Sequence, residues 1–383
     1  MDVVLTDLGI VCALGNNKAE VIANAKTGKS PGLCYISDDI LNEKIPFFSV
    51  KDCPKAEMRC YALLDMAVSQ IEESLKKLKQ KYQTDKIGVV LGTSNTGIHE
   101  AQADINQWIE DNRCPDTFSF EKIELGSAAL YLKDKLETKG PAYVVSTACS
   151  SSAKAFQSAR HLIKNGICEA VIVGGVDSRC KFAHNGFFSL EALSPKITNP
   201  FSKNRSGITL GEGAALFIME KEEQGIQVLG IGESTDGCDL THPDPTGKGA
   251  KLSMEYALAD AEILPSAIDY INMHGTGTLA NDEMEGKAIY EIFKENTLCA
   301  STKPLTGHAL GASGAIEIAL SYLMLTNHFM IAHKFDGVFD ENIPPIHLAT
   351  GKEKADIKTI MSNSFAFGGS NVSVILGENN ARI

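Results

Sequence analysis

The sequence has no basic tract and no long hydrophobic run. Its 383 residues include 36 Lys and Arg against 48 Asp and Glu, a formal net charge of −12. That balance argues against nucleic acid as the main partner, because no cluster of positive charge is present to neutralise phosphates. The longest apolar run, near residues 316–325, contains Glu317 and is too short to span a bilayer. We therefore expect neither nucleic-acid binding nor a membrane span.

Paired-cysteine motifs are also lacking. The chain has ten cysteines, but no two of them are spaced as C-x-x-C, which disfavours a zinc ribbon or a thioredoxin-type redox site. We expect no metal. The first residues, Met1–Asp7, carry acidic side chains where a secretory signal peptide has basic ones. These features predict free thiols in a reducing, cytoplasmic compartment.

The chain is long enough for two hydrophobic cores, and its pattern of short apolar runs between helical periods predicts an α/β fold. Four features of the second half repeat features of the first in the same order: Val228–Gly232 repeats Val3–Gly9, Tyr270–Met273 repeats Val89–Leu91, the turn before Gly311–Leu320 repeats the turn at Cys149, and the closing strands near 360–376 repeat those near 171–220. We predict an internal duplication that divides near Gly225, giving domains 1–225 and 226–383.

Two local predictions concern the first 80 residues. The spacing of Leu63, Ala67, Ile71 and Leu75 predicts one helix over Arg59–Leu78. The prolines within Leu33–Lys55 predict irregular surface loops there.

The most informative stretch is residues 143–156. A β-branched and aromatic run ends in small residues, and a helical pattern follows with Phe156, Ala159 and Ile163 on one face. Cys149 lies where the strand turns into the helix, so the unpaired N–H groups and the positive helix end would favour its thiolate. A buried cysteine packed as a small hydrophobe accounts for the same context equally well.

Two histidines occupy turns rich in small residues. His274 ends a buried strand and precedes Thr276 and Thr278, whose hydroxyls can bond a polar ligand arm; a lone histidine at such a place is more often structural. His308 follows Lys303, and Glu317 lies on the next predicted helix. That lysine and glutamate could form a solvated surface pair, or a buried pair in which each charge needs the other.

The last stretch, residues 363–371, places Phe365 and Phe367 beside two glycines. The two rings could be ordinary core packing. They could also frame a pocket whose backbone N–H groups point inward, as an oxyanion hole requires.

Taken together, these stretches resemble the β-ketoacyl-(acyl-carrier-protein) synthases of the two-histidine type, in the thiolase-like superfamily. Five motifs in the family's order carry the resemblance: residues 147–152, Arg205 through Gly213, residues 274–282, Lys303 through His308, and residues 363–371. The resemblance implies a thiolase-like fold, in which two duplicated α/β halves form αβαβα layers.

The resemblance also implies roles for individual residues. Cys149 would take an acyl group as a thioester from an acyl carrier protein. His274 and His308 would promote decarboxylation of a malonyl carrier thioester and stabilise the enolate. Lys303, paired with Glu317, would orient this cluster, and the oxyanion hole would use the N–H groups of Cys149 and Phe367. The implied substrate-binding residues are Thr276 and Thr278 for the phosphopantetheine arm, with Phe365, Phe367 as a gate, Asn95 and Ser370.

The family's partners and variations leave several points open. An acyl carrier protein is implied as partner, docking near Lys55, Arg59 and Lys203, and no tightly bound cofactor is expected because the phosphopantetheine arm arrives on the carrier. The family is dimeric through a central strand, so the chain forms a homodimer or a heterodimer with a related synthase subunit. Ser202 and Ser206 replace acidic residues of the family pattern. The polar Asn95 indicates something other than a long saturated acyl chain, which leaves fatty-acid, polyketide and aryl polyene pathways open.

Two other functions fit parts of the pattern. A non-catalytic subunit that only sets chain length, as chain-length factors do, is disfavoured because Cys149 and both histidines are present. A thiolase using coenzyme A is disfavoured because no cysteine follows Ser362.

Overall fold

A computed structural model describes residues 3–38, 43–353 and 356–378. Its strands are β1 (Val3–Val11), β2 (Leu33–Asp38), β3 (Glu43–Phe48), β4 (Ile87–Gly92), β5 (Ala142–Val145), β6 (Ala170–Asp177), β7 (Gly213–Lys221), β8 (Ile226–Thr235), β9 (Tyr270–Asn272), β10 (Leu298–Ala300), β11 (His347–Leu348), β12 (Thr359–Phe365) and β13 (Ser370–Gly377). Its helices are α1 (Lys18–Thr27), α2 (Arg59–Ser69), α3 (Glu72–Lys81), α4 (Ile98–Asp111), α5 (Ser127–Lys135), α6 (Ser151–Lys164), α7 (Lys181–Ser189), α8 (Lys248–Ala261), α9 (Leu279–Phe293), α10 (Lys303–Thr306) and α11 (Ser313–Asn327).

The strand order shows the duplication. In the first half the order is β5-β4-β6-β7-β1, and in the second it is β10-β9-β12-β13-β8. Each half has the same pairing directions, with parallel pairs on both sides of its second strand and antiparallel pairs beyond. The two halves join where β1 pairs with β8 through Val4↔Gln227 and Leu5↔Ile226. The predicted α/β fold with two repeated halves is confirmed.

The helices complete a layered structure. Helices α6 and α11 lie between the two half-sheets and contact strands of both. On α6, Phe156, Ala159 and Ile163 face the central core, as their spacing predicts. Helices α2 and α5 cover the outer face of the first half-sheet, and α8 covers that of the second and contacts α9. The resulting order of layers is αβαβα. One hydrophobic core lies between the two half-sheets, and one lies on the outer face of each half-sheet.

Two local predictions differ from the structure. The helical period over Arg59–Leu78 is divided into α2 and α3, because the chain turns at Gln70 and Ile71, where Ile71 leaves helical geometry while its side chain stays buried. Part of Leu33–Lys55 forms the β2–β3 hairpin, in which Pro46 lies opposite Tyr35. Both strands of a two-stranded sheet are edge strands, where a residue without an N–H is tolerated.

A close approach between β4 and α6 fixes the start of the central helix. A Cβ at Gly92 would lie 2.1 Å from the backbone nitrogen of Ser152, so only glycine lets the strand end meet the helix there. This contact sets the position of the turn that carries Cys149.

Candidate active site

Cys149 lies in the tight turn between β5 and α6. Ala148, just before it, has φ of 51°, a left-handed conformation that is strained for a residue with a side chain. In the second half, Leu310 has φ of 50° and likewise precedes its central helix, α11, by three residues. The two halves therefore share the same turn, and Gly311 occupies the place of Cys149.

A buried carboxylate ties the two turns together. Asp177, at the end of β6, accepts hydrogen bonds from the Thr93 hydroxyl and from the N–H groups of Ser94 and Asn95 after β4, and from the N–H of Ala312 beside the second turn. Burial raises the pKa of Asp177 to about 7 in spite of these donors. The carboxylate thereby holds the loop after β4 against the start of α11.

The structure brings Cys149 and the two histidines together. His308 Nε2 lies 3.1 Å from Cys149 Sγ, and the rings of His274 and His308 stand nearly perpendicular with centroids 5.5 Å apart. All three side chains are buried. Cys149 and His308 are 159 positions apart in sequence, yet they contact each other. They meet because the turn after β5, the end of β9 and the turn before α11 lie side by side.

The surroundings of Cys149 favour its protonated form. Burial raises the pKa of Cys149 to about 12, against the opposing effects of the Lys303 charge and of a hydrogen bond from the Phe367 N–H. The positive end of α6 favours the thiolate, as the sequence predicts, whereas burial favours the neutral thiol. Burial, together with Lys303, lowers the pKa values of His274 and His308 well below the usual value. Two neutral imidazoles therefore surround a neutral thiol.

Lys303 and Glu317 form the buried pair. Lys303 Nζ lies 2.5 Å from Glu317 Oε1, with both side chains almost fully buried. The ammonium also donates to the backbone carbonyl of His274 and lies 3.4 Å from its Nδ1. An ammonium only donates, so Nδ1 of His274 accepts and its proton is on Nε2. That tautomer presents an N–H donor to the cluster.

Glu317→Gln is expected to reduce the free energy of unfolding by about 3–5 kcal/mol, because the Lys303 ammonium would remain buried without a counter-charge. The matched control is Glu291→Gln, which breaks the exposed pair of Lys251 and Glu291, 2.7 Å apart, and should cost much less. Urea unfolding of both variants makes the measurement. Equal losses would contradict the assignment of a buried ion pair.

A cavity of about 300 Å³ leads to the thiol. Its wall includes Cys149, both histidines, Thr276, Thr278, Phe365 and Phe367, and it extends to the exposed Leu279 and His242. The two threonine hydroxyls lie 3.0 Å apart. The cavity therefore connects the solvent with the buried cluster along a wall that offers hydroxyl groups.

Asn95 and Ser370 lie outside this wall. The backbone N–H of Asn95 donates to Asp177, and the Ser370 hydroxyl accepts a hydrogen bond from the Ser150 hydroxyl at 3.1 Å. Ser370 thus links the turn of Cys149 to the loop of Phe367. The structure assembles nine of the eleven predicted residues at the cluster or the cavity and places these two beside it.

The sequence reading missed two buried partners of the histidines. Glu285 accepts hydrogen bonds from the N–H groups of His274 and Gly275, each at 2.7 Å. In the sequence, Glu285 is indicated only by its position three residues after Asp282, which puts both carboxylates on one face of α9. Ser313 Oγ lies 2.8 Å from His308 Nδ1; no spacing in the sequence points to that contact.

The three potential metal ligands, Cys149 Sγ and a nitrogen of each histidine, lie within 4.8 Å of one another. The neighbouring Lys303 ammonium opposes a cation there, and it also holds the proton on Nε2 of His274. The geometry is that of a nucleophile beside a base.

Models of both β-ketoacyl synthase domains match this chain, the N-terminal domain over residues 41–225 and the C-terminal domain over residues 226–334. The chain belongs to the β-ketoacyl synthase family. It is therefore an acyltransferase of the thiolase-like fold. The match to both domains confirms the resemblance carried by the five motifs.

Relatives of this β-ketoacyl synthase agree over nearly the full length. It is 29% identical to 3-oxoacyl-[acyl-carrier-protein] synthase 1 of Haemophilus influenzae, covering 97% of this chain and 98% of the relative. Among solved structures, a chain of the ketosynthase ApeO in complex with its chain length factor ApeC from Xenorhabdus doucetiae is 37% identical, with a TM-score of 0.94 and 98% of both chains covered. The ishigamide ketosynthase/chain length factor is 25% identical, with a TM-score of 0.89, covering 98% of this chain and 99% of that one.

Proposed function

We propose that this β-ketoacyl synthase holds an acyl group on Cys149 and condenses it with a malonyl group carried by an acyl carrier protein. The observation that carries the proposal is the buried contact between Cys149 Sγ and His308 Nε2, with His274 alongside, at the inner end of an open cavity. The phosphopantetheine arm of the carrier is the substrate that Thr276 and Thr278 would hold in that cavity.

In the loading step, His308 takes the thiol proton as the sulfur attacks the carrier thioester. The new C–S bond forms on Cys149, the carrier C–S bond breaks, and the proton passes to the leaving carrier thiol. The Phe367 N–H, which already bonds the sulfur, and the N–H of Cys149 would stabilise the oxyanion. His308 returns to its neutral form.

In the condensation step, the malonyl thioester loses carbon dioxide and its carbonyl oxygen gains negative charge. Nε2–H of His274, fixed by Lys303, would donate to that oxygen. Acylated Cys149 no longer donates to Nε2 of His308, so that ring would take its Nε2–H tautomer and donate beside it. The enolate carbon then bonds to the acyl carbonyl carbon, the C–S bond to Cys149 breaks, and the released thiolate takes up a proton from solvent through the cavity. The buried Lys303–Glu317 pair supports the orientation of His274.

Carrier docking would use exposed basic residues. Lys55 and Lys203 are exposed. Arg59 is not free to dock, because its guanidinium binds both carboxylate oxygens of the buried Glu212, at 2.6 and 2.8 Å. The docking role predicted for Arg59 is therefore withdrawn, and the two lysines remain the candidates.

The proposed quaternary partner is a related synthase subunit, either a second copy or a chain length factor. Strand β5 pairs with β4 along one edge, and in the described part of the chain no strand pairs with its other edge. An open edge of this kind is suited to strand pairing between subunits. Solved neighbours include ketosynthases with chain length factors, which supports the heterodimer.

The cytoplasm remains the proposed compartment. All ten cysteines fall within the described ranges and are free thiols, which is typical of a reducing environment. Among the described helices, none combines the length and the apolarity needed to cross a bilayer.

The test is intact-mass measurement after incubation with carrier proteins that bear short, long, saturated and unsaturated acyl chains. We expect a single acyl adduct, formed faster from carriers than from acyl-coenzyme A. The chains that load would define the substrate class. Loading only from coenzyme A would favour a thiolase-type reaction. No adduct from any carrier, with the related subunit also supplied, would contradict a catalytic role.

A further inference from the structure

The contact between His308 and Ser313 extends the catalytic pair by a third group. His308 Nε2 faces the thiol, and its other ring nitrogen, Nδ1, lies 2.8 Å from Ser313 Oγ. Ser313 is the first residue of α11 and is 3% exposed. Among the described residues, Ser313 is the hydrogen-bond partner of that nitrogen, so His308 bridges a nucleophile and a hydroxyl.

We propose that Ser313 is a positioning residue that accepts the Nδ1–H of His308 and so stabilises the imidazolium formed when Cys149 gives up its proton. The arrangement Cys149–His308–Ser313 is a nucleophile, a base and an orienting acceptor in series, the general geometry of an activated nucleophile. This inference deepens the proposed function by giving the loading step a third participant.

The physical reason lies in burial. A neutral thiol can donate only to an unprotonated Nε2, which puts the ring proton of His308 on Nδ1. After proton transfer the imidazolium carries N–H groups on both nitrogens, and the one on Nδ1 points away from the cavity. Without an acceptor it would be an orphaned buried donor, which is costly. The Ser313 hydroxyl removes that cost.

The charges around the pair do not supply the same help. Lys303, Asp177 and Glu317 act on Cys149 through space, and Lys303 acts on His308. The lysine favours the thiolate but opposes a second positive charge on the ring. On the Nε2 side the Cys149 thiolate itself faces the imidazolium. On the Nδ1 side the stabilisation comes from a direct hydrogen bond, and Ser313 is placed to make it.

The decarboxylation step depends less on Ser313. There His308 donates from Nε2, which leaves a lone pair on Nδ1, and a bare lone pair is better tolerated in a protein interior than a bare N–H. Removal of the Ser313 hydroxyl should therefore slow acyl loading more than malonyl decarboxylation. A general loosening of the site would slow both, because both use the same imidazole.

The experiment measures the alkylation rate of Cys149 by iodoacetamide against pH in the full-length protein, for wild type and Ser313→Ala. We expect alkylation of the variant at neutral pH to be about 10- to 100-fold slower, with the rate profile displaced to higher pH. Acyl loading should fall by a similar factor, and malonyl decarboxylation by less than about threefold. Ser313→Thr, which keeps the hydroxyl, should restore most of the alkylation rate.

The matched control is Ser321→Ala. Ser321 is a buried serine on the same helix whose hydroxyl bonds a backbone carbonyl four residues earlier. It should leave the pH profile unchanged. An unchanged profile in Ser313→Ala, an equal fall in both half-reactions, or an equal effect in Ser321→Ala would overturn the inference. Alkylation needs no carrier protein, so the pH profiles of alkylation test the role of Ser313 whether or not the proposed condensation is correct.

Discussion

Cys149→Ala is expected to abolish acyl loading and to lower condensation by at least about 10⁴-fold, because no other group on the cavity wall can form the thioester. The side chain is small and buried, so the variant should fold with little loss of stability. Intact mass after incubation with acyl carriers should show the adduct on wild type and none on the variant.

The control for this substitution is Cys299→Ala. Cys299 is also fully buried and free, but it lies in β10, away from the cavity wall. It should load acyl groups as wild type does. An adduct that persists in Cys149→Ala and disappears in Cys299→Ala would move the nucleophile to the other cysteine.

His274→Ala is expected to lower malonyl decarboxylation by about 10²- to 10⁴-fold while acyl loading falls less than about tenfold. The reason is geometric. His308, not His274, contacts the thiol, whereas Lys303 fixes the His274 proton on the nitrogen that faces the cluster. Release of carbon dioxide from a malonyl carrier and acyl loading, measured separately, test the division.

His333→Ala provides the comparison for His274→Ala. His333 is another buried histidine, but both of its ring nitrogens bond backbone groups, those of Ser301 and Pro200. Its loss should reduce stability and leave decarboxylation per folded molecule within about threefold of wild type. If His274→Ala slowed loading and decarboxylation equally, its role would be to hold the site together.

The sequence predicted the parts of this site that depend on local pattern. A strand end, a small-residue turn and a helical period located Cys149, and the same pattern in the second half located His308. The repeat of these patterns predicted the two α/β halves, and the resemblance to the synthase family implied their layered arrangement. Each of these signals lies within a few residues of the group that it identifies.

The parts that depend on long-range packing were not predictable. Residues 59–78 have one helical period, yet the chain leaves helical geometry at Ile71, whose side chain stays buried. The charge state of Cys149 depends on burial by segments distant in sequence, which no local helix argument includes. Arg59 reads as a surface cation, but Glu212, 153 residues later, binds it in the interior. Ser313 is one of several small residues in its turn, so the sequence does not distinguish it as a partner of His308.

The duplicated turn limits how many acyl groups one chain can carry. Gly311 stands where Cys149 stands in the other half, and a Cβ there would lie 2.6 Å from Ser94 Oγ and 2.8 Å from Asp177 Oδ2. The carboxylate that joins the halves thus fills the space that a second nucleophile would need. The repeated fold therefore has a single proposed nucleophile: we expect one thioester per chain, and a single substitution at position 311 cannot add a second.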